Sequence, residues 1–254
     1  PGLHDLDLKG TVEAVVRMWL ESNSSFNADA VVTMKGVGAT VGEYTMTDLT
    51  GPVTIGIRPT VQLAKTDKLT GAIRGTPLGA SFNFEARETQ GKMQPLHLNV
   101  FSGTEDFYSN FQLDGSSGFR ADAKAQNMRI EEMIPALAPD LTLKLTGRVT
   151  SVTGNVTGAV TDTMTETLKG DLAVLFEEGV LEEVNVAKEA LGKITNLPFV
   201  QGALLNYVPE RYHQALNSDK TVLHTVSGDF DLANEVMTTD NLFVESTYFT
   251  MESK

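Results

Sequence analysis

The sequence has no cysteine. That absence removes disulfide frameworks, thiolate-held zinc or iron–sulfur centres, and thiol nucleophiles. Tryptophan occurs once, and basic residues are scarce, with 20 Lys and Arg against 33 Asp and Glu, a net charge of −13. Such a balance argues against a nucleic-acid partner and against a polybasic anchor on anionic lipid. No apolar run approaches the roughly eighteen residues of a membrane-spanning helix. The start also lacks the n-region and h-region of a signal peptide. The chain opens at Pro1 without Met, which reads as a piece of a longer protein whose anchor or export signal would lie outside it.

Signatures of catalysis are missing too. The four histidines, His4, His97, His213 and His224, form no H-x-H or H-x-x-x-H pair, so no metal site is expected. Gly36–Gly42 has the wrong spacing for a dinucleotide loop and is read as a hairpin turn. No nucleophile elbow and no Walker loop occurs. Glu131–Glu132 and Glu177–Glu178 read as solvated element ends. The expectation is a non-enzymatic protein without cofactor. A hydrolase is a distant alternative that would require carboxylates converging in space.

What is present is period-two alternation. Phe82, Phe84 and Ala86 share one parity, as do Leu96, Leu98 and Val100, then Phe107, Phe111 and Leu113, then Phe119, Ala121, Ala123 and Ala125. Turn clusters at 89–92, 102–105 and 114–118 separate these runs. Residues 79–128 therefore read as a four-strand antiparallel meander with one apolar face. The same rhythm marks 26–34, 53–57, 141–149, 168–176, 222–232 and 242–251.

A loose phrase recurs, with a glycine two residues from an apolar residue on each side. Its copies are Leu8–Val12, Leu49–Val53, Leu69–Ile73, Leu145–Val149, Leu168–Leu172 and Val226–Phe230. Glycine inside a strand permits a bend, and equivalent bends would curl a sheet into a trough. Scattered bulges are the competing explanation.

Two stretches leave the strand rhythm. Ile130, Met133, Ile134 and Leu137 follow helical spacing, shortened by Pro135. The stretch 183–216 holds the only long helical pattern, and Leu191, Ile194, Phe199 and Leu204 are expected to dock on the sheet.

The order of elements from about 119 to 251 carries a resemblance. A strand ending at Ile130 leads into a short helix, then Leu141–Gly147, a Thr/Gly-rich connection, Leu168–Val180, the helical block, Thr225–Leu232 and Thr238–Leu242. This order resembles the AsmA-like C-terminal region of the AsmA/TamB, repeating β-groove lipid-transfer superfamily. The family usually continues with another glycine-containing strand, where this chain stops at Lys254. The resemblance implies a periplasmic protein anchored to the inner membrane through a segment outside this chain. It further implies a role in outer-membrane biogenesis and phospholipid transport, with phospholipid and envelope proteins at either membrane as partners.

The fold expected is mainly β: a long, twisted antiparallel sheet curled into an open groove, with the 183–216 helices packed on it. Residues 1–118 would form an N-terminal β-groove portion and 119–254 the AsmA-like portion, in one continuous sheet. A closed two-layer sandwich would produce the same alternation. The lipid-groove candidates are Phe82, Phe84, Leu96, Leu98, Val100, Phe107, Phe111, Leu113 and Phe119. The expected function is binding or conducting phospholipid acyl chains between inner and outer membranes. The alternative is a structural or protein-interaction module of the envelope with no lipid cargo.

Overall fold

A computed structural model describes residues 9–41, 44–112, 117–159, 164–186, 189 and 218–253. The strands are β1 (Lys9–Leu20), β2 (Phe26–Val41), β3 (Tyr44–Ile57), β4 (Gln62–Ile73), β5 (Thr76–Arg87), β6 (Gln90–Val100), β7 (Gly103–Gln112) and β8 (Gly118–Arg129). A short helix α1 (Ile130–Leu137) precedes β9 (Leu145–Ala159), and the single turn α2 (Met164–Thr167) precedes β10 (Lys169–Glu182). The chain continues with β11 (Lys220–Ala233), β12 (Val236–Thr238), β13 (Phe243–Ser246) and β14 (Thr250–Glu252). All fourteen strands belong to one antiparallel sheet. β1 to β11 lie in chain order, and β11 is followed by β13 and β14, while β12 pairs β11 from the side.

From β1 to β8 next-neighbour hairpins build this order, because these strands are long and their connections short. Arg74–Gly75, Phe101–Ser102 and Asn234–Glu235 all have positive φ at both central positions. That is the type I′ geometry whose twist matches antiparallel strands. The turn read at 102–105 is thus two residues long and earlier, and Gly103–Glu105 already belongs to β7. The hairpin turn expected over Gly36–Gly42 closes only at its end, after Val41, which pairs Tyr44, while Gly36–Val41 is strand. Gly36 there has φ 61°, with register shifts between β2 and β3. The Thr/Gly-rich connection after Val149 is strand, since β9 extends to Ala159 and pairs β8 and β10 along its length. The 242–251 run divides into β13 and β14, while Leu141–Lys144 lies outside β9.

The sheet is not strongly curled, contrary to the expected trough. The glycine phrases supply the reason. Gly10, Gly51 and Gly147 adopt positive φ beside register shifts, so they sit at bulges, whereas Gly71, Gly170 and Gly228 do not have positive φ. Gly147 shows the constraint best. At φ 141° a Cβ there would stand 2.7 Å from the Phe176 ring and 2.9 Å from the Gly179 backbone. A bulge re-aims its own strand locally, and two kinds of glycine position do not sum to one uniform curvature.

The main buried cluster lies in the middle of the strand order, toward one end of strands β6 to β10. Val100, Phe101, Ala125, Met128, Ala136, Val149 and Phe176 form a buried cluster, with Ile130 and Met133 packed against it. Helix α1 contributes Ala136 to this cluster, and of its expected stripe Ile130 and Met133 pack there, whereas Leu137 is 43% exposed. Its first turn is tied down by two carboxylates. Glu132 accepts the Ser102 hydroxyl at 2.7 Å, and Glu131 accepts the Gly147 N–H at 3.2 Å. Glu131 and Glu132 are therefore structural anchors as well as favourable charges at a helix N-terminus. The second acidic pair is also engaged: Glu177 accepts Thr150 Oγ1 at 2.7 Å, and Glu178 lies 3.4 Å from Arg148.

Most of the 183–216 block, including Leu191, Ile194, Phe199 and Leu204, lies outside the described residues. Among the described residues, the helices are α1, α2 and the first positions of that block at Val186 and Glu189. The accessible surface is 16183 Å². A compact protein of 27.5 kDa exposes about 11,000 Å². The excess fits a protein built largely as a single sheet.

Candidate functional site

Cross-strand register converts local parity into a surface. Directly opposed residues share a face. One row can be followed through Val16, Ala30, Ile55, Ala64, Phe84, Met93, Ser109, Ala121, Val156, Gly170 and Leu232, one residue from each of β1 to β11. A second runs from Thr66 through Phe82, Leu96, Phe107, Ala123, Gly154 and Leu172 to Phe230. A third links Ala86, Gly91, Phe111, Phe119 and Gly158. The opposite face carries Glu85, Lys92, Asn110, Arg120, Thr157 and Lys169 in one such row. Over these strands the sheet is amphipathic, one face apolar and the other charged.

Eight of the nine predicted residues are described, and all eight share the apolar face. Phe82, Phe84, Leu96, Leu98, Phe107, Phe111 and Phe119 are half-buried. Val100, at 5% exposure, belongs to the closed core beneath α1. Leu113 lies outside the described residues. Aromatic rings give the face its relief. Phe84 and Phe111 meet edge-on with centroids 6.2 Å apart, and Phe111 and Phe119 stand 6.4 Å apart. Gly91 makes room for this contact, since a Cβ there would come within 3.0 Å of the Phe84 ring and 3.5 Å of Phe111 Cβ. Gly158 does the same for Phe119 at 3.1 Å.

Parity reasoning missed one ionisable residue on this face. Glu105 stands between Leu98 and Ala125 in register, two residues before Phe107. Burial pushes its carboxyl above the ordinary glutamate range. Glu105 has the parity of Phe107, but the turn-like composition of 102–105 hides it. On the other face His97 contacts Asp106 and Asn155 donates to Asp171 at 3.3 Å. Among the described residues, no group of three or more His, Asp or Glu side chains is arranged to hold a metal. No helix among them is long and apolar enough to cross a membrane.

The depressions on the described surface are open and shallow. One of about 360 Å³ lies between α1 and residues 139–146, lined by Ile134, Pro135, Leu141 and Leu143. Another, of about 560 Å³, sits by Phe119, Gly158 and Thr167. Glu131, Lys144 and Glu182 also line the first of these. No family model, no curated protein and no solved structure matches this chain, so what stands of the resemblance is a long antiparallel sheet of fourteen strands.

Proposed function

We propose that the protein is a non-enzymatic module of the bacterial envelope whose apolar sheet face binds, or passes along, phospholipid acyl chains between the inner and outer membranes. One observation carries the reading: an apolar face continuous over eleven strands, with the aromatic row Phe84, Phe111 and Phe119 only half-buried. A closed sandwich would bury such rings fully against a second layer. A half-buried row is suited to an apolar occupant that comes and goes.

Energetics favour this kind of holding. Each buried methylene contributes about 0.8 kcal/mol. A half-buried sixteen-carbon chain then gains roughly 6 kcal/mol before ordering losses, with no polar contact needed. Attachment that is weak, repeated and non-directional lets a chain slide, and it leaves no sequence motif. The periplasm, with inner-membrane anchoring outside this chain, is the compartment where such a module would serve. The acidic surface keeps it from adhering to anionic headgroups along its length.

Mass spectrometry of lipid extracted from the protein, purified from a double-membraned bacterium, tests the proposal. Phospholipid at near-stoichiometric amounts is expected. Lipid no higher than on an unrelated β-protein of equal surface would overturn it and return the face to a structural or protein-docking role.

A further inference from the structure

Glu105 is out of place on the apolar face. In register it stands between Leu98 and Ala125, and Ala80 and Val152 follow on either side of these. The next row, two residues along the strands and about 7 Å away, holds Phe82, Leu96, Phe107 and Ala123. Neither row holds a cation over these strands. On its other side Glu105 borders the closed core. Val100 is buried there, and a Cβ on Gly103 would stand 2.7 Å from Met128 Cγ. Glu105 therefore sits where the covered part of the face gives way to the open part.

No hydrogen bond or ion pair reaches its carboxylate among the described residues. Other carboxylates are engaged: Glu132 accepts Ser102, Glu177 accepts Thr150 and Glu182 accepts Lys220. A carboxylate half-buried among apolar side chains without a partner is destabilising. Such a group is placed for a ligand and not for the fold.

We propose that Glu105 is the headgroup site of the apolar face, binding the ammonium of an amine-bearing lipid whose acyl chain lies across Phe107, Leu96 and Phe82. The inference rests on the lipid-binding reading and adds the class of headgroup to it. An ammonium completes the site because it neutralises the carboxylate and donates charge-assisted hydrogen bonds to its oxygens. An anionic headgroup would instead set a second negative charge beside the first. The apolar rows around the carboxylate select an amine that carries a hydrocarbon chain, since a bare amine gains nothing from them. The net charge of −13 also favours cations, but over the whole surface and without regard to Glu105.

Calorimetric titration of the delipidated protein with lysophosphatidylethanolamine and lysophosphatidylglycerol of the same acyl chain tests the site. The wild type should bind the amine-bearing lipid roughly tenfold or more tighter, the worth of one hydrogen bond to a charged group. Glu105→Gln keeps the shape of the side chain and should lose this preference, while binding lysophosphatidylglycerol no more weakly than the wild type does. Asp122→Asn removes a charge from the opposite face, where Asp122 stands across from Tyr108, and should keep the preference. Free ethanolamine should not compete, and circular dichroism should show every variant folded. Equal binding of the two lipids by the wild type, or a preference that survives Glu105→Gln, would overturn the headgroup site and leave the acyl-chain reading standing. Competition by free ethanolamine as strong as that of the lipid would overturn a lipid as the occupant. Binding of neither lipid would overturn both readings.

Discussion

Phe111→Glu is the sharpest probe of the apolar face. Phe111 lies at the middle of the row Ala86, Gly91, Phe111, Phe119 and Gly158, with rings on two sides. Strands stand about 4.8 Å apart, so about four methylenes of a crossing acyl chain rest over each one. Half-burial of four methylenes is worth about 1.6 kcal/mol, and an unpaired polar group in their place adds a cost of about 1–3 kcal/mol. At 1.4 kcal/mol per tenfold, affinity for a fluorescent fatty acid should fall by roughly 10²-fold or more. Phe111→Leu should bind nearly as the wild type does. Tyr108→Glu is the control, because Tyr108 is exposed and has the opposite parity. Titration at fixed salt, with circular dichroism and melting curves for each variant, reads the outcome. Wild-type affinity in a folded Phe111→Glu protein would refute the reasoning. So would an equal loss in Tyr108→Glu.

Further outcomes follow from the same geometry. Burial raises the Glu105 pKa, so its penalty on folding is absent below the ordinary glutamate value of 4.5 and grows as pH rises through its folded pKa. Glu105→Gln should therefore melt higher than the wild type at neutral pH, the gap closing below pH 4.5 in melting curves across pH. Met128, 3% exposed in the core under α1, should cost about 2–5 kcal/mol when cut to Ala, lowering Tm by about 2–4 °C per kcal/mol. Gly147→Ala forces a Cβ against Phe176 and the Gly179 backbone, while at Gly36 a Cβ meets nothing within 4 Å. Denaturant titration should show the Gly147 variant losing more than the roughly 1–2 kcal/mol of left-handed strain that Gly36→Ala costs.

Alternation is a property of neighbours in sequence, and much could be read from it alone. The four strands of 79–128, the helix at Ile130–Leu137 and the shared parity of Phe82, Phe84, Leu96, Leu98, Phe107, Phe111 and Phe119 all follow from a period of two giving way to one of 3.6. Register and strand order are not local. They decided that Gly91 sits beneath Phe84 and Phe111, that Glu105 shares the face of Phe107, and that Gly36–Gly38 continues a strand. Glycine is the least legible residue, because the same phrase gave a bulge at Gly147 and no positive φ at Gly71. What a missing side chain permits depends on what approaches from the next strand, and only the paired sheet supplies that. The faces of each strand were therefore set by the sequence itself, while the continuity of those faces into one surface was set by pairing between residues far apart in the chain.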